Sequence, residues 1–142
     1  MSDIIRDITE ISSCGAQYRA DNLSSLGLKG CHASYLSEIC ACPGISQDKL
    51  AQRICINKSN VARQTVILEE QGFLTRVASK EDKRVMQLYL TQKGTDLMPV
   101  IFEMYTKWSD LLTQDLTEAE TQQLTELLAK IKIRATEWMG AR

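Results

Sequence analysis

Apolar positions recur at helical spacing at both ends of this chain, while its middle alternates short helical and β-like runs. Residues 3–24 place Ile4, Ile8, Ile11, Cys14 or Gly15, and Tyr18 on one side, with Asp3, Asp7, Glu10 and Asp21 between them. That spacing predicts an amphipathic helix. Its stripe starts almost at the first residue, where a lone helix would fray, so the helix is expected to pack on something substantial. Residues 24–30 contain two glycines and read as a connector. Tyr35, Leu36, Ile39 and Cys40 predict a second helix over 31–42, which Pro43-Gly44 stops.

The middle of the chain is built from caps and breakers. Ser46 is suited to cap a short helix whose inner face is Leu50, Ala51 and Ile54, with Asp48 favouring its positive end. Asn57 can cap the next helix, predicted over 58–71 and ended by Gly72 in a left-handed position. Within it Val61, Gln64, Thr65 and Leu68 share one side. The other side carries Ser59, Arg63, Val66 and Glu70, edged by Asn60, Ala62 and Ile67. Residues 73–79 and 85–90 form a predicted hairpin whose charged tip is Lys80-Glu81-Asp82-Lys83-Arg84. A short helix, a tight turn, a second helix with a polar start and a basic-tipped hairpin make a winged helix-turn-helix, a DNA-reading arrangement.

Thr91 then caps a long helix with Leu97, Ile101, Met104, Trp108 and Leu111 or Leu112 on one stripe; Pro99 is expected to kink it or delay its regular start. Thr117-Glu118-Ala119-Glu120 is a capping box. The last helix presents Leu124, Leu127, Leu128, Ile131, Ala135 and Trp138. The expected fold is mainly α with a small β-hairpin wing. A winged helix-turn-helix over 31–94 would be carried on a helical dimerisation frame made of 1–30 and 95–142. The terminal helices exceed what a small reading head needs for its core, so a homodimer is expected, matching the two-fold symmetry of operator DNA.

Charge changes the picture once it is divided. The whole chain has 17 basic and 18 acidic side chains. Residues 46–93 hold nine of the former and five of the latter, a net +4, which leaves eight and thirteen, a net -5, for the rest. A basic middle within acidic flanks suits a DNA-reading head on a non-contacting frame. No apolar run approaches the roughly 20 residues that cross a bilayer, and no export signal is seen, so a cytoplasmic protein without membrane partners is expected. Cys14, Cys31, Cys40, Cys42 and Cys55 form an odd set without a framework and read as reduced thiols. There is no phosphate loop or nucleophile motif, and histidine occurs once, so neither catalysis nor a cofactor is expected.

Taken as an ordered set, Gly44-Ile45-Ser46-Gln47 with Leu50-Ala51, Lys58-Ser59 with Val61 and Arg63, Leu68-Glu69 with Gly72-Phe73-Leu74 and Arg76, and Asp82-Lys83-Arg84 with Leu90-Thr91 and Gly94 resemble the MarR family of winged-helix transcription regulators. The resemblance implies that the helix over 58–71 enters the major groove and the hairpin tip probes the minor groove. It implies that Asp82 positions Arg84, whose planar guanidinium suits a narrow groove of negative potential. The DNA-contacting candidates are Lys58, Ser59, Asn60, Ala62, Arg63, Lys83 and Arg84, on a pseudo-palindromic double-stranded operator. Val66 and Ile67 depart from the family's polar pattern and would meet thymine methyls or pack on the frame.

The resemblance also implies small-molecule sensing, with the ligand held between head and frame, which makes Tyr18, Arg19, His32 and Tyr35 the candidate pocket residues; a homodimeric repressor released by a small ligand or an oxidant is expected. Some family members sense oxidants through a first-helix cysteine, and Cys14 is the redox candidate here. Its place in the apolar stripe, however, predicts a buried and inert thiol. Cys40 and Cys42 diverge on a helix, and Cys31-His32 offers only two adjacent metal ligands. The alternatives to a DNA-binding regulator are a winged-helix protein-interaction module and a thiol-based sensor acting through Cys14.

Overall fold

The computed structural model describes residues 3–142, so the first two residues of the expected frame lie outside it. In chain order the elements are α1 (Asp3–Leu23), a single 3-10 turn (Ser24–Leu26), α2 (His32–Ala41), β1 (Ile45–Ser46), α3 (Gln47–Ile54), α4 (Lys58–Glu70), β2 (Leu74–Ala78), β3 (Met86–Leu90), α5 (Gln92–Thr113) and α6 (Glu118–Gly140). The boundaries follow local chemistry. Side-chain oxygens of Ser46, Asn57, Thr91 and Thr117 accept the backbone N–H of Lys49, Asn60, Gly94 and Glu120. Each such cap is worth about 1 kcal/mol. At the other end of α4, Gly72 takes φ +83° and turns the chain into β2.

The sheet has three strands in the order β1-β3-β2, all antiparallel, rather than the lone hairpin the pattern predicts. The addition is β1, in which Ile45 faces Leu88 and Ser46 faces Gln87. Two residues are too few to show alternation in a sequence. Leu74 opposes Leu90 and Arg76 opposes Leu88 across the hairpin, so the inward side of the sheet closes the head's core. That core is Leu36, Ile39, Leu50, Val61, Leu68, Leu74 and Leu88, all essentially inaccessible to solvent.

Helix α5 begins at Gln92 and continues through Pro99, so the proline does not delay its start. Gly94 in its first turn lies directly against the Phe73 carbonyl, leaving no room for a side chain. Leu97, Met98, Ile101 and Met104 bury one end of α5 in the head core, whereas Leu111 and Leu112 at its other end are exposed. The helix therefore leads out of the head. Helix α1 joins it through Tyr18, whose ring stacks on Trp108 at 4.6 Å between centroids and whose hydroxyl donates to the Met104 carbonyl at 3.2 Å. Helix α6 buries none of its residues in this chain. Leu128, Ile131 and Trp138 are 48%, 48% and 64% exposed, and Ile4, Ile8 and Ile11 on α1 are similarly open.

One expectation on α1 is corrected. Cys14 is exposed, not buried in the stripe; Gly15 occupies the packed position. Gly15 faces Arg19 and the Trp108 indole, where a side-chain carbon would already be within 3.4 Å of both. The glycine lets the two helices close, and the turn of the helix then swings Cys14 towards solvent.

Candidate nucleic-acid interface

The start of α4 is polar because its cap is. Asn57 Oδ1 accepts both the Asn60 N–H at 2.8 Å and the Ser59 hydroxyl at 2.9 Å. Val61, Thr65 and Leu68 turn inwards, which leaves Lys58, Ser59 and Arg63 exposed, with Asn60 and Ala62 partly so. The Arg63 guanidinium donates to Asn60 Oδ1 at 3.4 Å, and Lys58 Nζ lies 3.5 Å from Asp48 in an exposed pair. Both contacts are weak enough to exchange for another partner. Val66 and Ile67 are half-buried.

A second group of candidates stands on the wing. Asp82 accepts three bonds from Arg84: its backbone N–H at 3.0 Å, Nε at 3.1 Å and one terminal nitrogen at 3.1 Å. This two-pronged fork fixes a guanidinium that is 90% exposed. The Arg84 side chain, then its backbone N–H, hold the Asp82 carboxyl below the usual carboxylate range. Lys83 beside them is exposed.

Helix α4 and the wing are joined by a network that the sequence pattern does not reveal. Glu69 on α4 accepts the Arg76 backbone N–H at 3.0 Å and its Nε at 3.2 Å. The same guanidinium donates to Gln47 at 3.3 Å, and Gln47 also accepts the Thr65 hydroxyl at 2.9 Å. One partly buried arginine on β2 thus ties the start of α3, the inner side of α4 and the wing together.

Residues 32–86, which span this head, match the MarR family model. The crystal structure of the transcriptional regulator SlyA superposes with a TM-score of 0.93 at 29% identity, covering 98% of each chain. Over residues 32–86 the chain matches the MarR family. A MarR family regulator from Listeria monocytogenes, solved in complex with 26mer DNA, gives a TM-score of 0.92 at 29% identity, covering 98% of this chain and 93% of its own. The HTH-type transcriptional regulator YybA of Bacillus subtilis is 27% identical over 132 residues, 93% of this chain and 88% of YybA. This protein is a MarR-type helix-turn-helix transcriptional regulator. Among the described residues no helix is long and apolar enough to cross a membrane.

The four candidate pocket residues fall into two places. Tyr18 and Arg19 lie where α1 meets α5. His32 and Tyr35 sit inside the head, each 1% exposed, in edge-to-face contact at 6.2 Å. Burial, with a smaller contribution from Cys31, pushes the Tyr35 hydroxyl up to about 12, and it has no hydrogen-bond partner among the described residues. A cavity of about 450 Å³ does open between α2, α3 and α5, but Ser34, Ser37, Arg53, Phe102 and Tyr105 line it. No local motif marks those positions, because α2, α3 and α5 bring them together only in the fold.

His32 is fully engaged. Its Nδ1 accepts the Lys29 N–H at 3.1 Å, which leaves the proton on Nε2 to donate to Gln64 on α4 at 2.8 Å. Neither nitrogen is left for a metal, and the described residues contain no group of three ligands. Burial, more than the Lys29 charge, lowers its pKa below 6.5, while the Gln64 bond works the other way. The unfolded chain therefore takes up the proton first. Stability from neutral His32 is complete above pH 6.5 and is lost as pH falls from there through the lower folded value. The thermal midpoint should fall between pH 7 and 5, and His32→Gln should flatten that slope. An unchanged slope in the variant would show that His32 does not cause it.

Proposed function

We propose that this regulator is a homodimeric repressor that binds a pseudo-palindromic double-stranded operator in the cytoplasm. Residues 31–94 form the reading head, and 1–30 with 95–142 form the dimerisation frame. The exposed apolar sides of α1 and α6 support the frame, since a chain rarely leaves so much contiguous apolar surface to water. The observation that carries DNA binding is the wing tip, where Asp82 holds an almost fully exposed Arg84 in a fixed fork. A guanidinium held that way is ready for a narrow minor groove. Ser59, Asn60, Ala62 and Arg63 would meet base edges in the major groove, and Lys58 and Lys83 phosphates. The Listeria relative's structure with DNA supports the same mode of use.

Two heads must reach successive major grooves about 34–36 Å apart. A small molecule in the cavity between α2, α3 and α5 would change that spacing and release the DNA. Oxidation is the second route, favoured by one observation: the Cys14 thiol is open to solvent on a frame helix.

The charge basis of the proposal can be tested without knowing the operator. Lys58 and Lys83 in each of two heads give about four phosphate contacts, so log affinity for any duplex should fall against log salt with a slope of about -4. Fluorescence anisotropy across a salt series measures it. Binding that ignores salt would contradict the assignment of these side chains.

A further inference from the structure

We propose that Arg76 is a positioning residue for DNA reading, which holds the wing at a fixed angle to α4 so that both engage one half-site. Strand β2 is an edge of the sheet, since the order is β1-β3-β2. The Thr91 N–H donates to the Phe73 carbonyl at 3.1 Å and the Ser79 N–H to the Val85 carbonyl at 2.8 Å, so the odd-numbered residues between them turn their backbone groups to β3. The Arg76 N–H therefore points off the sheet, where a strand edge has no ladder partner. Glu69 on α4 takes the place of a neighbouring strand: one of its oxygens accepts that N–H at 3.0 Å and the other accepts Nε at 3.2 Å. The main chain of β2 is thereby fastened to α4. A third bond, from the guanidinium to Gln47 at 3.3 Å, fastens the same point to the start of α3. The paired side chains are 24% and 37% exposed, so water competes for this contact less than for a solvated pair.

The fastening sits where two levers meet. Arg63, at the polar end of α4, is six residues from Glu69, about 9 Å along a rigid helix. Six residues also separate Arg76 from Asp82, up to about 20 Å of extended chain. A rotation of the hairpin by about 10° at Arg76 would carry its tip about 3 Å, the length of the bonds that hold Arg84. Beneath the sheet Leu68, Leu74 and Leu88 belong to one apolar cluster. Apolar packing is non-directional, so the directed bonds of Arg76 set this angle. The role rests on the DNA-binding reading above, since the angle matters only if α4 and the wing meet the same duplex.

The test is a double-variant cycle, read by fluorescence anisotropy on a duplex copied from the genomic fragment that the wild-type protein retains most strongly. Arg76→Met keeps an apolar stem and removes the donors. It should weaken binding about tenfold in the wild-type background and less than about twofold when Arg84→Ala is already present, because a wing without its arginine has little left to misplace. The salt slope should stay as in wild type, since no phosphate contact is lost; a direct contact from each of two heads would lower it by about two. Arg76→Lys should recover part of the loss by reaching Glu69 alone. Glu69→Gln keeps an acceptor for the strand N–H and should weaken binding about threefold, again only while Arg84 is present. It carries the same cycle if the methionine variant does not fold by circular dichroism. Equal losses with and without Arg84, wild-type affinity in Arg76→Met, or a lower salt slope would each overturn the proposal. Wild-type affinity in Arg84→Ala would be a different failure, removing the wing from DNA reading altogether.

Discussion

Arg84→Ala should weaken operator binding by roughly ten- to a hundredfold, the range expected for one well-seated arginine contact. The protein should remain folded, because the Arg84 side chain is 90% exposed and, among the described residues, bonds only to Asp82. Loss should be largest at sites flanked by A·T-rich sequence, whose narrow minor groove attracts a guanidinium most strongly. Asp82→Asn keeps one acceptor but loses the charge that orients the fork, so it should lose less affinity than Arg84→Ala. Arg84→Lys should rescue only partly, since an ammonium is more strongly hydrated and lacks the planar fork. Anisotropy titrations of the three variants on one duplex check the order. Wild-type affinity in Arg84→Ala would remove the wing from the interface.

The other large effect is expected on the frame. Leu128→Asp combined with Ile131→Asp should yield a monomer in sedimentation experiments. Both side chains are half exposed in the single chain, so their replacement costs the monomer little while placing charges in the proposed interface. Operator affinity should fall by more than a hundredfold, because a monomer loses the second head's effective concentration. The head should remain folded, since none of its core contacts comes from α6. A double variant that stays dimeric would move the interface away from α6.

Much of the fold was legible because its signals are local. Ser46, Asn57, Thr91 and the Thr117–Glu120 box each cap a helix three residues away, within reach of pattern reading. The basic tip and its Asp82–Arg84 spacing were legible for the same reason. Strand β1 was not, since two residues carry no period. The burial of Gly15 in place of Cys14 depended on Trp108, far along the chain. The bonds from Gln47 to Arg76 and from His32 to Gln64 join residues 29 and 32 positions apart, and their residue types alone suggest no pairing. The cavity between α2, α3 and α5 was hidden likewise, since its lining residues are ordinary in every local window.

The most direct test of sequence-specific DNA reading is selection of genomic fragments by the purified full-length protein at moderate salt, followed by sequencing of what is retained. Enrichment of one short pseudo-palindrome, with half-sites centred about one helical turn apart, is the expected result. Retention of nothing above background, by protein shown to be folded and dimeric, would contradict it and favour a winged helix that binds other proteins.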